Sequence, residues 1–207
     1  MKNILMAITL TISAIPVFAS EFIEGKHYQV LANPISDKQE VREYFSFYCP
    51  HCFKQEPFMN EVAATLPQGV AFNKNHVDSM PGQQPDIEHA LTKAIITADR
   101  LGEKDKIVGA IFKYIHVDRA TFDKESDIRN LFLVNGIDNE KFDKVFNSFS
   151  VNALANKMKK NTEQLRAQGV RTVPTLIVNG KYRPLTNDIK SIAQYKALIQ
   201  HLLEKKA

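Results

Sequence analysis

The only two cysteines of this 207-residue chain, Cys49 and Cys52, flank Pro50 and His51 at the point where strand-like sequence gives way to helix-like sequence. That placement removes disulfide stapling from the ways the chain can hold itself together. In the loop-entropy model a bridge closing about four residues contributes only about 2 kcal/mol, against about 5 for a loop of about a hundred. The fold must come from a hydrophobic core, and the pair is left for chemistry that opens and closes it. Ligand count argues against zinc: there is no third cysteine, and His27, His51, His76, His89, His116 and His201 show no H-x₃₋₅-H spacing. Phe53 rather than His follows Cys52, so the haem-attachment signature is absent too.

Around the pair, the order of elements predicts an α/β fold with an interruption. Gln29 to Leu31 is a short apolar piece. Val41 to Tyr48 alternates, with Val41, Glu43, Phe45 and Phe47 on one face and Arg42, Tyr44, Ser46 and Tyr48 on the other. Cys49 to Leu66 reads as a helix with Pro50 in its first turn and Pro57 as a kink. After Pro67-Gln68-Gly69, Val70 to Val77 is extended again, which begins a parallel sheet.

For about eighty residues the period then becomes helical. Ile87, Ala90, Leu91, Ala94, Ile95 and Ala98 form one set, and Ile107, Val108, Ile111, Phe112 and Ile115 a second. Ile128, Leu131 and Phe132 follow, closed by Gly136 in the place of a C-cap. Asp138 caps a fourth helix carrying Phe142, Val145, Phe146 and Phe149, all read as core, and Leu154, Met158 and Leu165 lead out through a fifth. Strands return at Thr175 to Val178 and Lys181 to Leu185, joined by Asn179-Gly180 as a two-residue hairpin turn. Pro184 belongs at a sheet edge or a strand end, and Ile189 to Leu203 closes the chain as an amphipathic helix.

Residues 1–19 have the parts of a secretory signal peptide: Lys2, an uncharged and mostly apolar run to Val17, and small residues at the −3 and −1 positions of a cut between Ala19 and Ser20. Removing them leaves 188 residues and lowers the formal charge from +4 to +3, too mild to imply nucleic acid as a partner. The domain map read from the sequence is a signal peptide at 1–19, a first sheet segment at 20–80, a helical insertion at 81–160 and a second sheet segment at 161–207. An exported chain whose cysteines form one C-x-x-C pair works where disulfides persist.

The thiolate is the form that attacks and leaves, so the start of a helix is a productive place for Cys49: unpaired N–H groups and the helix dipole favour negative charge there. Stabilising the anion favours the reduced pair, by about 30 mV for each 1.4 kcal/mol. Cys52, one turn into the helix, is expected to be buried and to resolve the mixed disulfide. Glu43 falls on an apolar face, where an acid is costly unless paired or exchanging protons.

The segment Glu43-Tyr44-Phe45-Ser46-Phe47-Tyr48-Cys49-Pro50-His51-Cys52 resembles the active-site segment of the DsbA family of periplasmic thiol:disulfide oxidoreductases. The similarity continues through Lys74-Asn75-His76-Val77, Phe146-Asn147-Ser148-Phe149, Gly169-Val170-Arg171-Thr172-Val173-Pro174 and Val178-Asn179-Gly180-Lys181-Tyr182. It implies a thioredoxin fold with an inserted all-helical domain. It also implies that Cys49 is the exposed nucleophile, that Pro50 and His51 tune the potential, and that Glu43, Lys74 and Glu56 form a charge and proton-transfer network. Val173-Pro174 resembles the cis-proline loop that faces the disulfide and binds substrate backbone. Residues 80–86 and 183–188 border that surface and match no family pattern.

The implied activity is a monomeric periplasmic dithiol oxidase. It needs no cofactor or metal beyond the Cys49–Cys52 disulfide, acts on unfolded or folding secreted proteins with free thiols, and is reoxidised by a DsbB-like quinone-linked membrane protein. A disulfide isomerase or reductase on the same fold is the nearer alternative, and a non-catalytic, chaperone-like peptide-binding module the more distant one. Full cellular activity in a Cys49→Ser, Cys52→Ser variant would favour the latter.

Overall fold

The computed structural model describes residues 22–32, 36 and 38–205, so the signal-peptide segment and its cut site lie outside the described residues. Five strands form one mixed sheet: β1 (Tyr28–Val30), β2 (Glu40–Phe45), β3 (Ala71–His76), β4 (Thr175–Val178) and β5 (Tyr182–Pro184), in the order β1-β5-β4-β2-β3. β2 and β3 run parallel, joined by helix α1 (Pro50–Ala64), and β4 returns antiparallel to β2. Between β3 and β4 the chain forms α2 (Pro85–Arg100), α3 (Lys104–His116), α4 (Glu125–Val134), α5 (Asn139–Phe146) and α6 (Phe149–Ala167); α7 (Ile192–Glu204) ends it. This is the expected α/β architecture, a thioredoxin-type sheet interrupted by helices.

Both faces of the sheet are covered. Val41, Leu176 and Val178 pack with Met59 and Val62 of α1 and with Leu198, Ile199 and Leu202 of α7. Tyr44 and Ile177, on the opposite face, meet Leu165 of α6. A third apolar cluster joins Phe45, Phe47, Cys49 and Cys52 to Leu91, Ile111, Phe112, Phe132, Phe142 and Phe146, so the redox end of the sheet and the helical block share one core. α6 serves both halves. Its Val151 and Ala155 belong to the shared cluster and its Leu165 to the sheet, and the helix runs unbroken through residues 160 and 161.

Several local expectations are met. Gly136 has φ +85 just past the end of α4, a conformation a Cβ disfavours. The Asp138 side chain accepts the Lys141 N–H at the start of α5. Pro184 is the last residue of β5.

Other expectations are corrected. β2 ends at Phe45 rather than Tyr48, because the chain turns there, with the Cys49 N–H donating to the Ser46 carbonyl at 3.1 Å. The hairpin turn holds Asn179 (φ 51) and Gly180 (φ 71), but Val178 pairs with Tyr182, so Lys181 is an extra residue in the connection. Phe149 is 88% exposed instead of core. α5 stops at Phe146, and Ser148 caps a new helix by accepting the Val151 N–H, so the apolar period does not carry across.

Candidate active site

Cys49 is the N-cap of α1, in extended conformation, with Pro50 beginning the helix. Proline suits this first position because its missing N–H would have no partner there. The Cys49 sulfur accepts the Cys52 N–H at 3.4 Å and lies 3.6 Å from the Val173 carbonyl, to which its thiol donates. It is only 6% exposed, not the exposed sulfur that the resemblance implied, while Pro50 and His51 stand out in solvent. Both cysteines are free thiols in this structure. Cys52 is fully buried, and burial pushes its thiol well above the ordinary cysteine range. A hydrogen bond from the Ser46 backbone offsets this only in part, and the neighbouring Cys49 and Glu43 add to the upward push. The two sulfurs therefore stand in unequal surroundings, one at a helix start and one in the core.

The parallel register explains the charge network. Glu43 and Lys74 are direct partners across β2 and β3, so their side chains project from the same face of the sheet. Lys74 Nζ lies 2.6 Å from Glu43 Oε2 and 2.7 Å from Glu56 Oε2, the latter descending from α1. Burial raises Glu43 above the usual carboxylate range, with Lys74 opposing it incompletely, and its Oε1 has no partner. Burial works against the Lys74 ammonium, but the two carboxylates outweigh it and hold the amine above its ordinary value. Two acids sharing one base leave a carboxyl group able to take a proton, and the deeper one is Glu43.

The Val173-Pro174 peptide bond is cis, and the half-buried Val173 borders a groove of about 780 Å³ that opens on Cys49. Met80, Pro81 and Thr172 line the same groove. The nine residues singled out from the sequence are placed as follows: Cys49 caps α1 and Pro50, His51 and Cys52 lie in its first turn, Val173 meets the Cys49 sulfur with Pro174 next in the chain, and Glu43, Lys74 and Glu56 form one ion-paired group.

Sequence reasoning missed three polar groups nearby. His76, fully buried against the rings of Phe45 and Phe47, pairs through Nδ1 with Thr92 Oγ1 at 2.8 Å. Burial lowers it to about 3, so it is neutral. His116 meets the Phe47 carbonyl through Nε2 at 2.7 Å and stacks on Phe53, bracing the turn before Cys49. The Glu88 carboxylate accepts the Met80 N–H through both oxygens, and burial raises it to about 7. A histidine inside the Val70 to Val77 run was a signal for the first; the other two depend on contacts between distant segments.

Residues 40–200 match the model of the DSBA-like thioredoxin domain. The chain is 34% identical over its full length to the thiol:disulfide interchange protein DsbA of Escherichia coli strain K12, covering all of that protein. It is 35% identical to DsbA of Haemophilus influenzae, with 99% of this chain and 100% of the relative covered. Among solved structures, Proteus mirabilis DsbA with a non-covalently bound peptide superposes with a TM-score of 0.79 at 28% identity, over 90% of this chain and 100% of that one. DsbA from Klebsiella pneumoniae does so with a TM-score of 0.76 at 27% identity, over 89% of this chain and 99% of that one.

Proposed function

This chain belongs to the DSBA-like thioredoxin domain family and is a thiol:disulfide oxidoreductase, and from that premise we propose that it runs in the oxidising direction, donating a Cys49–Cys52 disulfide to folding secreted proteins in the periplasm. A substrate thiolate attacks the Cys49 sulfur. The Cys49–Cys52 bond breaks, and Cys52 leaves with the electron pair. The high proton affinity that burial gives Cys52 means it takes a proton, and Glu43, whose charge Cys52 feels, is the group placed to relay it. A second substrate thiolate then attacks the substrate sulfur of the mixed disulfide and displaces Cys49 as a thiolate. Two substrate thiols have lost two electrons and two protons; the cysteine pair has gained both electrons and the proton on Cys52, and the other proton has gone to solvent.

The observation that carries the direction is the N-cap position of Cys49, with the Cys52 N–H pointing at its sulfur. A helix start stabilises a thiolate and does nothing comparable for a disulfide sulfur. Pro50 and His51, exposed at the same turn, are the tuning residues of this reading. Val173 and Pro174 bind the substrate backbone, since the half-buried Val173 runs beside the sulfur under attack. The bound peptide of the Proteus mirabilis relative supports a peptide-shaped site.

The rest of the reading comes from family membership and from residues 1–19: export by a signal peptide cut between Ala19 and Ser20, action as a monomer, and reoxidation by a DsbB-like quinone-linked membrane protein. The working domain map is 20–80 and 161–207 for the redox domain and 81–160 for the insertion, with α6 shared. The test equilibrates the protein in glutathione buffers and compares the denaturant stability of the two redox forms. An oxidase has the more stable reduced form; a disulfide form more stable by about 1 kcal/mol, or about 20 mV by the same conversion, would assign the reductase or isomerase direction instead.

A further inference from the structure

The groove beside Cys49 has an apolar floor and a cationic rim. Met80, Pro81 and Val173 form the floor; Arg166 and Arg171 stand on the rim with one acid, Glu163. Arg183 of β5 joins them by donating to Thr172 Oγ1 at 3.3 Å. None of these arginines has an ion-pair partner among the described residues. Arg166 donates to the Ser79 hydroxyl and carbonyl, Arg183 to Gln29 and Thr172, and Arg171 is exposed and unpaired. Elsewhere Arg42 and Arg129 grip Glu40 and Asp143. Glu88, beneath the Met80 backbone, feels the Arg166 charge without contacting it. Two guanidinium groups without ion-pair partners therefore line the groove where a substrate backbone must lie to bring its sulfur to Cys49, and a third stands beside it at Thr172.

We propose that this rim selects substrates by charge: thiols flanked within a few residues by Asp or Glu react with Cys49 faster than thiols flanked by Lys or Arg. The proposal rests on the reading of Cys49–Cys52 as the exchanging disulfide and adds a substrate class to it. An extended chain advances about 3.3 Å per residue, so the residues next to a docked cysteine are the ones that reach the rim. Guanidinium groups take carboxylates in two-pronged hydrogen bonds, a geometry that a lysine-rich segment cannot use. Rim charges act chiefly on the association rate, and their effect is lost in salt. Arg183 lies in 183–188, one of the two bordering segments that match no family pattern, whereas Arg171 lies in the segment 169–174 that carries the family resemblance.

The test uses two reduced dithiol peptides identical except for Asp or Lys two and three residues either side of one cysteine. Each is mixed with the oxidised full chain, and its rate is divided by its rate with the uncharged disulfide of 2-mercaptoethanol, which removes the peptide's own thiol reactivity without adding a charge preference. At about 20 mM salt the Asp peptide should react about three- to tenfold faster, and in about 1 M salt, where charges are screened beyond about 3 Å, the ratio should fall toward one. Arg171→Glu, at an exposed side chain without contacts to lose, should bring the low-salt ratio to one or below, and Arg183→Glu should act in the same direction. A ratio of one in the unmodified protein overturns the proposal, as does a ratio that survives the Arg171→Glu, Arg183→Glu pair. Oxidation of neither peptide would instead overturn the parent reading of the disulfide, and charge selection with it.

Discussion

In the helical block, Phe112, Phe132, Phe142 and Phe146 are buried in an apolar cluster, while ion pairs such as Arg129–Asp143 and Lys113–Asp118 stay at the surface. In the sheet, Glu43, Lys74, Asn75 and His76 are buried as deeply as the aromatic residues beside them. Buried polar groups cost free energy unless each finds a partner, and here most do: Lys74 holds two acids, Asn75 bonds Thr162 and the Met158 carbonyl, and His76 bonds Thr92. The helical block buries one acid, Glu88 of α2, and holds its ion pairs at the surface. On the mechanism proposed above, the layer beneath the cysteines accepts that cost because a buried leaving sulfur needs a proton source within reach.

The comparison breaks first on stability. Phe132→Ala in the helical block should lose about 3–5 kcal/mol by leaving a cavity, yet the folded molecules should exchange disulfides at an unchanged rate. Lys74→Met should lose a similar amount, about 3–5 kcal/mol, for a different reason: it strands the Glu43 charge. The two are separated by adding Glu43→Leu, which should recover most of the stability of Lys74→Met but slow the release of Cys52. Urea melts beside single-turnover oxidation rates read both; a Glu43→Leu addition that recovered no stability would contradict the stranded-charge account.

A smaller effect follows from pH. His76 is lowered from 6.5 to about 3, so the folded state binds fewer protons than the unfolded chain in that window, and stability is lost as pH falls below about 6.5. Glu88 is raised from 4.5 to about 7, which works the other way: the folded state holds the proton longer, and stability is lost as pH rises from 4.5 to about 7. His76→Gln should flatten the acid limb by up to about 1.4 kcal/mol per pH unit, and Glu88→Gln should reduce the loss toward neutrality by on the order of 1 kcal/mol. Denaturation midpoints from pH 4 to 8 check both; an unaltered acid limb in His76→Gln would remove that histidine from the account. The smallest effect is expected at Phe149, where an exposed ring gives Phe149→Ser a stability change within about 0.5 kcal/mol, measured the same way.

Much of this molecule is legible in the order of its residues because the relevant interactions are local. Helical periodicity marked α2 to α4, Asp138 announced the cap of α5, and the step from alternating sequence to Pro50 put Cys49 at a helix start. Local reasoning failed where a short break resets the period, as at Ser148, or where a strand stops for a reason outside itself, as at Phe45, whose carbonyl takes the Val77 N–H before the chain turns.

The chain's own order decided which sulfur begins the helix and which lies one turn inside it, since a cap and a helical turn span only four residues. Tertiary structure alone decided what those sulfurs meet. Glu43 reaches Lys74 because β2 and β3 align in one register, and Val173 reaches Cys49 from 124 residues away. Arg166 of α6 lines the groove, and Arg183 of β5 bonds Thr172 on its lining. Such contacts are fixed by how the sheet pairs and how the helices close over it, and no short window of sequence contains both partners.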